Sequence, residues 1–397
     1  NLIGTFYWAQ YRLKCRGGVY ITASHNPVEY NGFKLAVDFS ETLVSDGIQE
    51  LRRMLESDDF EQGNKPGTVK KQDVRQNYSD DLLARIQIKK KFKVVVDAGH
   101  ATAGLIAPNL LRKAGCEVVE SNCRVNSSFP LGAPDPISIA VMRRLGDKVL
   151  KEKADIGFSF DADGDRIGIV DEKGNVAWND VLVAIFAVDV LNRYPGATIM
   201  YNTLCSKVVE ETVRQAGGKP FMWRTGHSFL KKKNQEVKAA FIGELSGHFF
   251  FSSDFYNHDD GIYSVLRLLS YLASSNLPLS AIIASLPRYL SSPEIKIYCG
   301  DDKKVDLIKK IIPHLKTDFP EGVIIDDERA GDGVRVDFSD SMFVIRYSQN
   351  APYLTVKFEA KTEDRYRFLK NYISDLLHSH EEIDWDSDIN LNTESFQ

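Results

Sequence analysis

The chain has 397 residues, 43% of them hydrophobic and 26% charged, with a formal net charge of −5. That length exceeds one core and predicts two to four domains, while the mild acidity and the lack of a long basic run exclude an electrostatic footprint for nucleic acid. No apolar run reaches bilayer length and no signal peptide is evident; five scattered cysteines, Cys15, Cys116, Cys123, Cys205 and Cys299, lack C-x-x-C spacing, which argues against zinc or a disulfide framework and for a reducing cytoplasm.

The first informative stretch is "GGVYITASHNPVEYNGFKLA", residues 17–36. It reads as an irregular strand, loop, helix and strand, with Ser24 directly after the first strand. Ser24 is either a turn residue or a nucleophile, and His25 and Lys34 follow it. The same plan is regular in "KFKVVVDAGHATAGLIAPNLLRKAGCEVVE". There Val94 to Val96 read as a strand buried on both faces, Leu105 to Ala114 as a helix and Gly115 as its C-terminal cap.

"ADIGFSFDADGDRIGIVDEKG" carries the strongest chemical signal. Asp161, Asp163 and Asp165 alternate just beyond an apolar strand, with Gly164 allowing a tight turn. Converging carboxylates repel unless a cation lies between them, and an all-oxygen set suits Mg²⁺ or Ca²⁺. Arg166 beside them suggests a neighbouring phosphate. The alternatives are a solvated acidic turn and a helix-flanked calcium loop; the strands on both sides disfavour each. A phosphoryl group on Ser24 would bring about two negative charges, making Arg166, His25 and Lys34 its counter-charges. Lys34 is then the candidate to handle the proton of an attacking sugar hydroxyl, provided neighbouring positive charge lowers its pKa.

"VLVAIFAVDVL" reads as a core helix, and "ATIMYNTLCSKVVEETVRQAGGKPFMW" repeats the strand, helix and strand plan up to Gly217. "WRTGHSFLKKK" places Gly226 and His227 on a loop. In "FIGELSGHFFF", Glu244, Ser246 and His248 alternate around two glycines, as a sugar-binding loop or a plain hairpin turn. "NHDDG" marks a helix start.

Beyond about residue 288 the segments "EIKIYCG", "GVRVDF", "MFVIRYS" and "YLTVKFEA" alternate apolar and polar residues like one-sided strands. Helices are expected over 302–316 and 363–380, the latter capped by Thr362. "RYSQNAPY" sets Arg346, Ser348, Gln349 and Asn350 between two strands as a phosphate clamp. The acidic tail "HEEIDWDSDINLNTESFQ" is expected to fray or dock loosely.

Taken in order, "TASHNP…NGFK", "NSSFPLGAPDP", "FDADGDR", "WRTGHSFLKKK", "GELSGHFFF", "DDGIYS" and "RYSQNAP…FEA" resemble the α-D-phosphohexomutases, in their bacterial phosphomannomutase/phosphoglucomutase branch. The resemblance runs from near Asn1 to about residue 380. It implies an α/β multidomain protein: three related α/β domains with mixed sheets (1–72, 73–174 and 175–288) and a C-terminal α+β domain (289–397) around a central cleft. It also implies a cytoplasmic isomerase that moves phosphate between O1 and O6 of a hexose, through phospho-Ser24 and a hexose 1,6-bisphosphate. In that scheme Mg²⁺ sits on the phosphoserine, Asp161, Asp163 and Asp165. Lys34 is general acid and base, assisted by His25 and Arg166. Glu244 and Ser246 reach sugar O3 and O4, His248, His227 and Gly226 line the cleft, and Arg346, Ser348, Gln349 and Asn350 hold the idle phosphate. Partners are hexose phosphates, with neither nucleic acid nor membrane.

Three departures stand out. Gln349 and Asn350 replace Asn and Thr of the usual phosphate loop, and Leu204 stands where relatives carry lysine, with Lys207 as possible compensation. An N-terminal segment of roughly 80 residues is expected ahead of Asn1 from the family's domain size. Phosphoglucosamine mutases share the same skeleton. Two other readings compete: a haloacid-dehalogenase-like phosphatase with Asp161 as nucleophile, and a non-catalytic sugar-phosphate binder.

Overall fold

The computed structural model describes residues 1–22, 24, 30–44, 46–61, 63, 65–349 and 351–396. They divide into two compact units, Asn1–Ala177 with Lys231–Glu236 and Ser246–Ser280, and Trp178–Leu230 with Val237–Leu245 and Ala281–Gln397.

In the first unit, β1 (Gly17–Ile21), β2 (Phe33–Val37) and β3 (Glu41–Thr42) form an antiparallel sheet in that order. The expected strand, helix and strand plan does not hold here. β1 turns back on β2 with Ile21 opposite Phe33, whereas a helical crossover would return the second strand parallel. The reason is the one-sided pattern of β1: Gly18 and Tyr20 are half-buried while Val19 and Ile21 are exposed, and such strands suit antiparallel pairing. Its inner face packs on the helix Ile3–Leu13, with Tyr20 and Phe6 lying against Ile3, Tyr7 and Ala36.

The second sheet of this unit is mixed. β4 (Lys93–Asp97), β5 (Glu117–Ser121), β6 (Ile156–Phe160), β7 (Ile167–Val170) and β8 (Val176–Ala177) lie in the order β5-β4-β6-β7-β8. β4 runs parallel to β5 and β6, and β6-β7-β8 is antiparallel. Val94 to Val96 are fully buried, as their unbroken apolar run requires. The expected helix over 105–114 is a 3₁₀ turn, Thr102–Leu105, followed by the α-helix Ala107–Lys113. Pro108 belongs at its first turn, and Gly115 follows its end at φ 94°. The β6–β7 hairpin projects residues 161–166 beyond the carboxyl end of β6.

The second unit holds β9 (Thr198–Asn202) parallel to β10 (Lys219–Trp223) and β11 (Phe241–Gly243) on its two sides. The helix Asn179–Arg193 is buried along most of its length, as "VLVAIFAVDVL" predicts. Ser206 caps the helix Lys207–Gln215 by accepting the Val208 N–H at 3.1 Å. β12 (Phe249–Phe250) belongs to the first unit with the helix Gly261–Ser275, whose cap Asp260 accepts the Tyr263 N–H at 2.9 Å.

The rest of the second unit is an antiparallel sheet of β13 (Leu290–Ser291), β14 (Ile295–Cys299), β15 (Val323–Ile325), β16 (Gly333–Asp337), β17 (Ser341–Tyr347), β18 (Tyr353–Ala360) and β19 (Ile383–Asp384). Its order is β15-β16-β17-β18-β14-β19, with β13 on β18. The helices Lys304–Asp318 and Glu363–His378 cover one face, where Leu307, Ile311, Leu369 and Ile373 meet Val336, Phe343 and Val356. Thr362 caps the second helix, accepting the Arg365 N–H at 3.3 Å.

The acidic tail is docked rather than frayed. β19 pairs with β14, Leu391 and Lys296 exchange backbone hydrogen bonds at 2.9 and 3.0 Å, and the Trp385 ring stacks on His378 at 3.8 Å. Its apolar residues and the open edge of β14 outweigh its charge, since an unpaired strand edge is a template for pairing. No single helix among the described residues is long and apolar enough to cross a membrane.

Candidate active site

The loop 161–166 is held by neighbours on several sides. Asp161 Oδ1 accepts the N–H groups of Gly164 and Arg166 at 3.0 and 3.2 Å, a turn that asparagine and aspartate favour. The carbonyls of Ala162, Asp163 and Gly164 accept from Thr102, Ile3 and Gly261. Gly164 sits at φ 74°, and a β-carbon there would come 2.3 Å from Leu2 Cδ2, so any other residue would be strained in the backbone and would displace Leu2. These contacts fix the three carboxylates before any ligand arrives.

Asp161, Asp163 and Asp165 are each at most 1% exposed. One oxygen from each lies within 4.8 Å of the others. Two cations face them: Arg166 Nε lies 3.0 Å from Asp161 Oδ2, and Lys34 Nζ lies 2.9 Å from Asp163 Oδ2 and 2.7 Å from Asp165 Oδ2. Three carboxylates against two cations leave one negative charge in excess. Burial, reinforced by the Asp165 charge, pushes the Asp161 carboxyl well above the usual carboxylate range. Asp163 Oδ1 and Asp165 Oδ1 are buried without a hydrogen-bond partner among the described residues. Orphaned carboxylate oxygens in an over-acidic pocket are what a hard divalent cation satisfies, so the residues present fit a metal ion.

The structure brings Ser24 to this cluster. Its backbone is left-handed at φ 51°, its N–H donates to Thr22 Oγ1 at 2.9 Å and its hydroxyl donates to Asp161 Oδ2 at 3.3 Å. Thr22 Oγ1 in turn donates to Asp163 Oδ2 at 3.1 Å. Thr22 was missed from sequence; its hydroxyl ties the serine loop to the acidic loop. Asp135, from "APDP", also escaped notice. It lies 3.3 Å from Arg166 Nη1, while Arg166 Nη2 is buried with no partner among the described residues. A buried guanidinium donor left over beside a serine is a place for a phosphate oxygen.

Lys34 is where the expectation is corrected. Neighbouring positive charge was to lower its pKa, yet the groups around its ammonium are carboxylates. Burial works against the charge, but Asp165 and Asp163 overcome it and hold the lysine well above its ordinary value. In this arrangement its ammonium is held protonated.

His248 Nδ1 lies 2.8 Å from Ser246 Oγ, and its Nε2 is 3.7 Å from Asp165 Oδ2 and 3.8 Å from Asp259 Oδ2. Burial pushes its pKa down to about 3, so the ring is neutral. Glu244 belongs to the other unit. There its Oε1 accepts the Gly226 N–H at 2.9 Å, and Asn202 holds the loop by accepting the Leu245 N–H at 3.2 Å and the Cys205 thiol at 3.0 Å. Asn202 is a further organiser not foreseen. Leu204 is buried, and Lys207 Nζ lies 3.9 Å from Asp337. His227 Nε2 is 3.4 Å from the hydroxyl of its neighbour Ser228.

Arg346 lies near the end of β17 and grips Asp332, with Nε 2.8 Å from Oδ1 and Nη2 on Oδ2; Gln349 Nε2 donates to the same Oδ2 at 3.3 Å. The Ser348 N–H donates to the Tyr353 carbonyl at 2.9 Å across the loop. His25 and Asn350 lie outside the described residues.

Three family models match in order: phosphoglucomutase/phosphomannomutase alpha/beta/alpha domain I over residues 3–62, domain II over 76–174 and domain III over 178–289. A phosphomannomutase/phosphoglucomutase of Pseudomonas aeruginosa is 38% identical over 371 residues, covering 94% of this chain and 78% of that one. The chain belongs to the phosphoglucomutase/phosphomannomutase family. A phosphoglucomutase of Neisseria meningitidis is 34% identical over 375 residues, 94% of this chain and 80% of its own. A solved phosphoglucomutase/phosphomannomutase family protein from Burkholderia thailandensis superposes with a TM-score of 0.82 at 34% identity, covering 91% of this chain and 76% of that one. Membership makes the chain a mutase, an isomerase of the α-D-phosphohexomutase superfamily, with three α/β/α domains and a C-terminal domain of antiparallel sheet and helices.

Proposed function

We propose that the chain interconverts hexose 1-phosphates and hexose 6-phosphates, of glucose, mannose or both, through phospho-Ser24 and a hexose 1,6-bisphosphate. The observation that carries this reading is the set of groups left without a partner among the described residues near Ser24: Asp163 Oδ1, Asp165 Oδ1 and Arg166 Nη2, with Ser24 Oγ 3.3 Å from Asp161 Oδ2. Acceptors without donors and a donor without an acceptor suit a cation and a phosphate side by side.

Asp161, Asp163 and Asp165, with the phosphorylated Ser24, would hold Mg²⁺. That ion, when bound, supplies positive charge to the oxygens of the transferring phosphoryl group. Arg166 binds a phosphoryl oxygen through Nη2. Lys34, held protonated, donates its proton to Ser24 Oγ as the phosphate leaves, and His25 adds positive charge to the same loop. His248, neutral, accepts a hydrogen bond from the sugar hydroxyl at a ring nitrogen, and Ser246 orients the ring. Glu244 accepts hydrogen bonds from sugar hydroxyls, with Gly226 and His227 beside it. Arg346, Ser348, Gln349 and Asn350 hold the phosphate that is not reacting. We assign four domains at 1–72, 73–174, 175–288 and 289–397, and a cytoplasmic location, which the five unpaired cysteines support.

The test is an assay with glucose, mannose and glucosamine 1-phosphates in Mg²⁺ with a trace of hexose 1,6-bisphosphate, followed by ³¹P NMR. Appearance of glucose or mannose 6-phosphate is expected. Conversion of glucosamine 1-phosphate alone would replace the substrate assignment, and conversion of none would overturn the reading.

A further inference from the structure

The turn Gly331–Asp332–Gly333 lies between two arginines from different parts of the chain. On one side, Gly333 pairs with Arg346 across the β16–β17 ladder, and Arg346 binds both oxygens of Asp332. Asp332 is only 1% exposed and accepts from Gln349 as well. The charge of Arg346 is therefore cancelled by its own support. As a phosphate clamp, the Arg346–Asp332 pair supplies direction but no net positive charge, although a phosphate ester carries close to two negative charges near neutral pH.

On the other side lies Arg224, in the segment after β10. A β-carbon on Gly331 would come 2.7 Å from Arg224 Nε and 2.9 Å from its Cζ, and Gly331 has φ 73°. Glycine is thus required both for the backbone and for the close approach of the guanidinium. Arg224 Nε is buried with no hydrogen-bond partner, and no carboxylate pairs with Arg224 among the described residues. Its guanidinium lies over the Phe229 ring, 4.3 Å from the centroid, a contact that steadies a cation without neutralising it. Gly331 and Gly333 are two residues apart, a span of at most about 7 Å, so both arginines address one turn.

We infer that Arg224 is a substrate-binding residue, the charged partner of Arg346 for the phosphate that is not being transferred, and that Asp332 is the positioning residue between them. This rests on the hexose phosphate reading above. Arg346 is fixed and neutralised; among the described residues Arg224 is held by packing on Phe229 and Gly331, with no carboxylate to cancel its charge. Sequence inspection passed over Arg224, because "WRTGH" drew attention to its histidine.

The experiment is calorimetric titration of the full chain with glucose 6-phosphate and with inorganic phosphate, alongside kcat and KM. Arg224→Met, which keeps the apolar stem over Phe229, is expected to weaken glucose 6-phosphate binding about ten- to a hundredfold, with the thermal midpoint unchanged. Arg224→Lys should recover part of the loss. Asp332→Asn should raise KM more than it lowers kcat. Unchanged affinity in a folded Arg224→Met protein would overturn the inference while leaving the mutase reading intact. Should Arg224→Met not fold, Arg224→Gln decides: wild-type affinity for inorganic phosphate in a folded Arg224→Gln protein with a lowered thermal midpoint would make the residue structural and overturn the inference. Failure of the wild type to bind glucose 6-phosphate would instead defeat the reading on which it rests.

Discussion

Ser24 Oγ and Asp161 Oδ2 are 137 residues apart in sequence and 3.3 Å apart in space. The pairing joins a left-handed loop residue after β1 to the first carboxylate after β6. It places a hydroxyl that can carry phosphate against carboxylates that can carry a cation. Arg166 Nε on the same Asp161 oxygen, at 3.0 Å, completes a charge pattern in which each group offsets the burial of another.

Asp163 Oδ1, like Asp165 Oδ1, is buried with no partner among the described residues, which leaves it open to a cation. Asp163→Asn should therefore raise the half-saturating Mg²⁺ concentration about tenfold or more and lower activity with it. A metal titration of the variant with the wild-type midpoint would remove Asp163 from the ligand set.

Legibility differed by kind of interaction. The acidic loop was readable because three carboxylates, a glycine and an arginine fall within six consecutive residues; Thr362 was readable as a cap, and "NHDDG" as a helix start, because capping acts over three residues. Thr22, Asp135, Asn202 and Asp332 were not, since each acts through partners that only the folded chain brings near. The antiparallel return of β2 was missed because 17–36 imitates the composition of the other strand and helix units. For the tail, sequence left fraying and loose docking both open. Its acidity hides Trp385, Leu391 and Phe396, which make its contacts with the body.

The docked tail contributes stability that can be measured. Trp385 stacks on His378, lies edge-on to Phe396 and is only partly buried. Trp385→Ala should destabilise the chain by about 2–3 kcal/mol, below the range for a fully buried tryptophan, and deletion of residues 383–396 by more. Chemical denaturation that shows no change would mean the docking contributes nothing.

His258 sets an acid limit. It is fully buried among Tyr7, Tyr11, Phe255 and Tyr256, and burial pushes its pKa down to about 3. The unfolded chain takes up a proton near pH 6.5 and the folded chain does not. Stability from this residue is complete above that pH and falls as pH drops, by up to about 1.4 kcal/mol per unit. Asp260, raised to about 6 by burial, acts in the opposite sense, so the difference between proteins is the measurement. His258→Gln should show a shallower loss of stability between pH 6 and 4 than the wild type; parallel curves would exclude the histidine as the cause.

The central claim is that the phosphoryl group rests on Ser24, and peptide mapping by mass spectrometry of protein treated with hexose 1,6-bisphosphate tests it most directly. The account predicts one phosphate on the peptide containing Ser24, lost in Ser24→Ala together with transfer activity while hexose phosphate binding persists. Phosphate on Asp161, or full turnover by Ser24→Ala, would contradict it.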